Sequence, residues 1–566
     1  MSTKYIGRLH ENTLTQALAQ TAKTVPERGI SIYDRRGQNA DFRTYPQILE
    51  LAKTCAQKLA SAGFAKNERL LMCLPTSWDL IGIYLGAIFR GVQPVLVAPS
   101  TSLGSAAAQT RKLRGLVELI TPKRLLCDAA LRKDFTDFDG APLTALSLTP
   151  DEFSALESSA RSDTGLASPR PEDIAFMQFT SGSTGRQRAV KIHHGAAVHN
   201  SRMVGAFAGA PQFGDDSVVS WLPLNHDMGL IGCLFAITQG FDLNLIRPDT
   251  FLARPKVWLK VLSDKKSTLS PAPNFGYQLC VERIEEQDLA GIDLSTWRVA
   301  FTGAEMVRKD TCENFIRRFG PFGFKPQSFH PCYGMAEATL VVTCDNKKQG
   351  LRTEADPGIG EKNVDSSQCA VACTGIPGLD TEVKITAPGQ SRDTTPKEGV
   401  IGEIWAKGPA IFSGYYNDDN ATRESLVDGW LRTGDLGFLK DGELYITGRT
   451  KDLLIVNGQN IMPHEIEWIA ESVSGGGGAE RCGAFSVARD STGEQAVIVI
   501  EISGQSQSPL AGMEREIRVR IGRELGLTLA DILFVKRGQI PKTTSGKVQR
   551  AELRRRYLDG ELERLH

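Results

Sequence analysis

RLLMCLPTSWDLIGIYLGAIFRGVQPVLVAP, Arg69 to Pro99, reads as strand, helix, strand. Arg69 to Pro75 is a short apolar run closed by a proline, too brief for a helix. Asp79 to Gly91 is apolar nearly all round and ends on a glycine, the mark of a buried helix with its stop signal. Pro94 to Pro99 is the next strand. Two strands joined through a helix form a βαβ unit, and its strands must run parallel. Strand-like runs alternate with helical patterns for most of the length, so the fold class is predicted as α/β. No repeat at a period of 20 to 50 residues is visible, which argues against a solenoid.

The chain has 566 residues, enough for more than one domain and a large core. Lys and Arg total 66 and Asp and Glu total 66. With no net charge there is no global field to hold nucleic acid or an anionic membrane. The 55 glycines are about a tenth of the chain, above the usual ~7%, and ask for loops that only glycine makes. The N-terminal MSTKYIGRLHENTLTQ lacks the apolar core of a signal peptide. The longest apolar run, Leu80 to Phe89, is too short to span a bilayer. A cytoplasmic location with no membrane span is expected. The 11 cysteines are scattered without CxxC spacing, so neither a disulfide framework nor a zinc site is indicated.

Composition changes after Gly448. GRTKDLLIVNGQNIMPHEIE, Gly448 to Glu467, is turn-rich, SGGGG follows at Ser474 to Gly478, and an amphipathic helix comes later with Ile517, Ile521 and Leu525 at i, i+4, i+8. Glu514, Arg518 and Glu524 are expected on its other faces. Two domains are predicted, residues 1–449 and 450–566, the second a small α+β unit.

The most informative local stretch is MQFTSGSTGRQRAVKIHH, Met177 to His194. Thr180, Ser181, Gly182, Ser183, Thr184 and Gly185 follow directly on an apolar strand. Glycines let backbone N–H groups approach an anion and hydroxyls add donors, so such a loop can cradle polyphosphate. On composition alone an ordinary turn remains the alternative, and the P-loop pattern is absent. Five further segments stand in order along the chain: FTGAE (Phe301 to Glu305), HPCYGMAEATL (His330 to Leu340), WLRTGDLG (Trp430 to Gly437), the Gly448 to Glu467 run, and IPKTTSGKVQR (Ile540 to Arg550). Together these six resemble the motifs of the adenylate-forming enzymes: acyl-CoA synthetases, luciferases and peptide-synthetase adenylation domains.

The resemblance implies a large N-terminal domain and a small mobile C-terminal one, with ATP and Mg²⁺ as cofactors. It places the phosphate loop at Thr180 to Gly185 and the nucleotide between Gly303, Ala304 and Glu305 on one side and His330, Tyr333, Gly334 and Met335 on the other. It gives Asp435 and Arg449 to the ribose, Glu337 to the magnesium ion, and Lys451 to the hinge. Lys547 becomes the catalytic lysine, a mobile cation bridging carboxylate and phosphate as two anions are joined. Family loops usually continue with Pro-Lys-Gly where this chain has Gln187, Arg188 and Ala189. Arg188 keeps the charge in a different geometry.

SWLPLNHDMGLIG (Ser220 to Gly232), SPAPNFGYQLC (Ser270 to Cys280) and DLSTWRVAFTGAE (Asp293 to Glu305) resemble the fatty acyl-AMP ligase branch. That implies an acyl pocket walled by His226, Asp227, Met228, Asn274, Phe275 and Gly276, although apolar residues there would equally suit a core. An extra segment of that branch, thought to restrain the C-terminal domain, corresponds to Asp345–Gln368, for which a plain surface loop is the alternative. No cysteine sits in an activating motif, so the thiol of a second half-reaction would come from outside, on the phosphopantetheine arm of an acyl carrier protein. Arg550, Arg554, Arg555 and Arg556 offer it a basic run, or are simply solvated helix charge. The expected activity is conversion of a medium- or long-chain fatty acid to acyl-AMP and its delivery to a carrier protein. The alternatives are a fatty acyl-CoA synthetase and a degenerate homologue that binds nucleotide or lipid without catalysis.

Overall fold

The structure, a computed structural model, describes residues 12–99, 106–137, 141–158, 166–180, 187–212, 214–345, 349–357, 370–386, 398–456, 459–473, 482–489, 493–502, 510–543 and 547–565. The βαβ unit stands as read: strand Arg69–Cys73 and strand Gln93–Leu96 pair in parallel across helix Trp78–Arg90. Ser77 caps the helix by accepting the Leu80 N–H, and Gly91, at φ 74°, ends it.

Among the described residues, six strands form one sheet and nine another. In the six-stranded sheet, Ile174–Phe179 pairs antiparallel with Ala189–His193, and the connection between them is the Ser/Gly-rich loop. In the nine-stranded sheet Ser217–Ser220, Leu269–Ala272, Val299–Thr302 and Phe329–Gly334 lie side by side in parallel. The segments that leave their carboxyl ends carry His226 to Met228, Asn274 to Gly276, Gly303 to Glu305 and Met335 to Glu337 respectively, the first two at helix starts. Open parallel sheets place their ligands at that edge. The strand ends are held by a buried aromatic cluster. Trp258 donates to the Ser270 hydroxyl at 2.8 Å, Trp297 donates to the Val299 carbonyl at 3.0 Å, and the two rings meet edge-on at 5.2 Å.

A smaller antiparallel sheet follows, in which Gly402–Lys407, Trp430–Lys440 and Glu443–Arg449 are consecutive neighbours. From Leu454 onward the buried apolar residues form clusters separate from the main core. Their frame is the sheet Cys482–Arg489, Gly493–Ile502, Leu529–Lys536 with helices Pro463–Val473, Leu510–Leu525 and Arg550–Leu558. Ile517, Ile521 and Leu525 are buried as their spacing predicts. Glu524, expected on a polar face, is buried too, because Arg520 and Arg523 reach its carboxylate at 2.9 and 3.2 Å. No helix among the described residues is long and apolar enough to cross a membrane.

His194, at the start of helix His194–Ala208, joins the first helix, Leu14–Thr24, to the core: its Nδ1 accepts the Leu14 N–H at 3.2 Å. Burial lowers its pKa to about 4. A histidine held neutral in the fold but free to charge when unfolded gives stability that is complete above the unfolded value near 6.5 and is lost as pH falls through the folded one. Acidification from pH 6.5 to 4 is therefore expected to remove about 3 kcal/mol through this group. Urea unfolding across that range checks it: the acid slope should shrink in His194→Gln, and an unchanged slope would exclude the assignment.

Candidate active site

Three of those four carboxyl-end segments, the small antiparallel sheet and the C-terminal segment enclose one cavity of about 940 Å³. Thr180 lies at one rim. It donates its N–H to the Arg188 carbonyl at 2.9 Å, and its hydroxyl accepts the Arg188 N–H at 3.2 Å, so the Ser/Gly loop is clasped at its neck. Ser181, Gly182, Ser183, Thr184 and Gly185 lie outside the described residues. Gln187 donates to the Thr180 carbonyl at 3.4 Å, Arg188 Nε meets Asp418 at 3.2 Å with its guanidinium over the Tyr415 ring, and Ala189 begins the next strand.

Gly303 and Ala304 line the next wall. A Cβ on Gly303 would lie 2.7 Å from the Cys332 carbonyl, so only glycine lets this turn approach the neighbouring strand there. Ala304 is left-handed at φ 65°, a conformation that residues with a Cβ seldom adopt and that clusters at functional sites. Tyr333, Gly334 and Met335 line the same wall from the neighbouring strand end.

Asp435 and Arg449 face each other in register across the hairpin of Trp430–Lys440 and Glu443–Arg449. Arg449 Nε donates to Asp435 at 2.8 Å, and the Tyr333 hydroxyl donates to its other oxygen at 2.7 Å. The carboxylate is thus oriented by a cation and a phenol before any ligand arrives. Burial, then Asp435, drives the Tyr333 pKa up, so this phenol stays protonated as a donor.

Glu337 stands on the short turn after Phe329–Gly334 and accepts the Tyr415 hydroxyl at 2.8 Å. Burial raises its pKa, which Tyr415 and Arg449 only partly oppose. Among the described residues no group of three or more His, Cys, Asp or Glu side chains could hold a metal ion by itself. Mg²⁺ needs no such cage: one or two carboxylates plus substrate phosphates suffice. A single buried carboxylate at the wall of this cavity fits that requirement.

Lys547 enters from the C-terminal segment. Its backbone is pinned to Thr543 by two hydrogen bonds, Thr543 N–H to the Lys547 carbonyl at 2.8 Å and Lys547 N–H to the Thr543 hydroxyl at 3.0 Å. Its ammonium lies in the cavity within electrostatic reach of Asp227, Asp435 and Glu305. Burial and then Arg449 lower its pKa, and the three carboxylates offset part of that. Asp227 answers: burial would raise its pKa, but His226, at 2.6 Å, and Lys547 hold it below the ordinary carboxylate range.

His226, Asp227 and Met228 lie on the cavity wall, where His226 caps helix Asp227–Gln239. Beyond them the lining turns apolar, with Val204, Phe207, Gly232 and Phe235. Lys451 is also at the wall, in the short turn Thr450–Asp452.

Six expected residues do not line the cavity, and one of them, Asp435, is buried behind the Arg449 and Tyr333 that do. Asn274 is buried behind it, donating to Thr311 and accepting the Arg308 N–H, both at 3.2 Å. Phe275 stands edge-on to Trp221, and Gly276 faces the same ring. Glu305 accepts the Phe275 N–H at 2.9 Å and reaches the site only through its charge. His330 is turned inward, with Nδ1 2.9 Å from the Ser328 carbonyl. These residues lie behind the wall and not on it. The C-terminal arginines are also less available than a basic run suggests. Arg550 pairs with Glu467, Arg555 with Glu552, Asp559 and Glu561, and Arg556 with Glu552.

Sequence reading passed over Tyr415 and Asp418, which orient Glu337 and Arg188. The tandem tyrosines of GYYNDD, Gly414 to Asp419, were the available signal. It also passed over Arg308, which pairs with Glu471 of helix Pro463–Val473.

Comparison with known proteins supports the whole-chain reading. The AMP-binding enzyme family matches residues 18–416. A Caulobacter vibrioides protein bearing the provisional name of an acyl-CoA synthetase is 32% identical over 97% of this chain and 96% of its own. The medium-chain-fatty-acid–[acyl-carrier-protein] ligase JamA of Moorena producens is 32% identical over 92% of this chain and 90% of its own. A solved structure from studies of fatty acyl-adenylate ligases of E. coli and L. pneumophila is 31% identical, covers 99% of both chains and superposes with a TM-score of 0.87. With the motifs in order and their side chains gathered around one cavity, this chain belongs to the AMP-binding enzyme family.

Proposed function

We propose that the chain is a fatty acyl-AMP ligase that activates a medium- or long-chain fatty acid with ATP and passes the acyl group to an acyl carrier protein. The observation that carries this is the entry of Lys547 into a cavity that has Arg449 and Tyr333, both paired with the buried Asp435 behind them, at one side and an apolar arm at another. One carboxylate oxygen of the fatty acid attacks the α-phosphorus, the bond to pyrophosphate breaks, and acyl-AMP results. Lys547 supplies the positive charge between two anions being joined, where preorganised charge contributes most. Asp435, with Arg449 beside it, takes the ribose hydroxyls. Thr180, the loop that follows it, and Gly303 to Met335 frame the nucleotide. Mg²⁺, held at Glu337, would neutralise the pyrophosphate as it leaves. We place the division between the two domains at residues 449 and 450, with Lys451 as the pivot that withdraws Lys547 for the second step.

In that step an external thiolate attacks the acyl carbonyl and AMP departs. The described cysteines are unsuited to it, since nine of ten are buried, and burial raises the thiol pKa at Cys233, Cys280 and Cys312 among others. The carrier protein reading draws on the Moorena relative. The acyl-CoA reading draws on the Caulobacter relative. The segment after Asp345 favours the first: Thr353–Ala355 pairs with Ala370–Ala372, and Asp356 lies 3.9 Å from His464 of helix Pro463–Val473. Such contacts support a restraint on that helix.

The test is incubation with ATP, Mg²⁺ and dodecanoate, then with CoA or with a phosphopantetheinylated carrier protein. Acyl-AMP is expected to persist with CoA and to discharge onto the carrier. Efficient acyl-CoA formation would replace the proposal by the acyl-CoA synthetase reading, and absence of fatty-acid-dependent pyrophosphate release would leave only the non-catalytic one.

A further inference from the structure

We propose that Gly232 sets the length of acyl chain this enzyme accepts; the inference rests on reading the apolar arm of the cavity as the acyl site. Helix Asp227–Gln239 runs along that arm, and Met228, Gly232 and Phe235, at i, i+4 and i+7, turn one face to the cavity. Val204 and Phe207 of the adjoining helix, His194–Ala208, line it as well.

Two glycines interrupt this apolar helix, for different reasons. At Gly229 a Cβ would lie 2.2 Å from the Pro223 carbonyl, so close packing demands glycine. At Gly232 a Cβ would meet no atom within 4 Å, and the backbone there is ordinary right-handed helix. Neither packing nor conformation requires glycine at a position where it costs helix stability relative to alanine. What Gly232 leaves behind is unfilled space on the cavity face. A side chain there would occupy the space the acyl chain needs and would leave the fold alone.

Length follows from the helix. Asp227 lies within electrostatic reach of Lys547, so the carboxyl end of the acyl chain belongs near the helix start. At 1.5 Å per residue, Gly232 is about 8 Å and Phe235 about 12 Å farther along. An extended alkyl chain advances about 1.25 Å per carbon at ordinary bond lengths and angles. The chain therefore passes Gly232 near its sixth carbon and meets Phe235 near its tenth, which assigns the enzyme to medium-chain acids of about eight to twelve carbons.

The experiment measures pyrophosphate release by wild type, Gly232→Ala and Gly232→Leu over saturated acids from butanoate to hexadecanoate. The readout is the ratio of kcat/KM for dodecanoate to that for hexanoate. A side chain replacing substrate methylenes should lower that ratio by about tenfold in Gly232→Ala and by more in Gly232→Leu, since each methylene excluded is worth about 10-fold upward. Thermal unfolding should show Gly232→Ala at least as stable as wild type. An unchanged ratio in both variants overturns the proposal while wild type remains active on fatty acids. Should Gly232→Leu fail to fold, an unchanged ratio in Gly232→Ala overturns it alone. If wild type releases pyrophosphate with no acid of the series, the fatty acid reading falls and this inference with it.

Discussion

Lys547→Ala is expected to lower fatty-acid-dependent pyrophosphate release by about 10² to 10³-fold, the usual cost of removing one preorganised group facing developing charge. ATP binding, measured by calorimetry, and the unfolding midpoint should change little, because the fixed hydrogen bonds of this residue are backbone bonds to Thr543. Its pH dependence adds a second signature. Burial and Arg449 favour the neutral amine, so the required ammonium is lost at lower pH than from a free lysine. Wild-type activity should therefore fall on the alkaline side as pH rises through that depressed pKa. Lys547→Arg, with a guanidinium that does not titrate there, should lose that limb. Full activity in Lys547→Ala would exclude the lysine from the chemistry.

The other large effect is expected at Asp435. Asp435→Asn keeps the shape and can keep both hydrogen bonds, with its carbonyl toward Arg449 Nε at 2.8 Å and its amide donating to the Tyr333 hydroxyl at 2.7 Å, but it removes the charge that faces Arg449. A buried guanidinium without its counter-charge costs about 1 to 3 kcal/mol, and the unfolding midpoint should drop accordingly. Affinity for ATP should fall about tenfold or more by calorimetry, because one ribose acceptor becomes a donor and Arg449 loses its counter-charge. The pairing of the two readouts separates roles: lost stability with unchanged ATP affinity would make Asp435 a hairpin residue only.

Local patterns carried the fold. Arg69 to Pro99 was legible because an apolar strand, a helix stop at Gly91 and a second strand each fit in one short window. Motif order singled out the segments that hold Glu337, Asp435 and Lys547, which the fold brings close to one another. What the sequence withheld was the direction of single side chains within those segments. His330 lies three residues from Tyr333 on one strand, yet hydrogen bonding to Ser328 keeps its ring out of the cavity. Asn274 was expected to touch substrate, but Arg308, 34 residues away, claims its carbonyl oxygen. Tyr415 and Glu337 are 78 residues apart, and Arg188 and Asp418 are 230 apart. Such partners have no period and no fixed spacing, and only tertiary packing joins them. Glu524 failed for the same reason, since a buried carboxylate paired with Arg520 imitates a surface residue in any hydropathy pattern.

The Arg308–Glu471 pair has a kinetic meaning. Both side chains are largely shielded from solvent, and Glu471 also accepts from the Cys482 thiol at 3.2 Å. They join helix Pro463–Val473 to the segment ahead of helix Lys309–Phe319 at a point where neither lines the cavity. On the proposed turn about Lys451 this pair must separate, so its energy enters the barrier to domain withdrawal and leaves the chemistry of adenylate formation untouched. On that proposed motion, a domain fastened in this way lets go of the closed arrangement slowly, which would keep a reactive anhydride out of water until an acceptor is at hand.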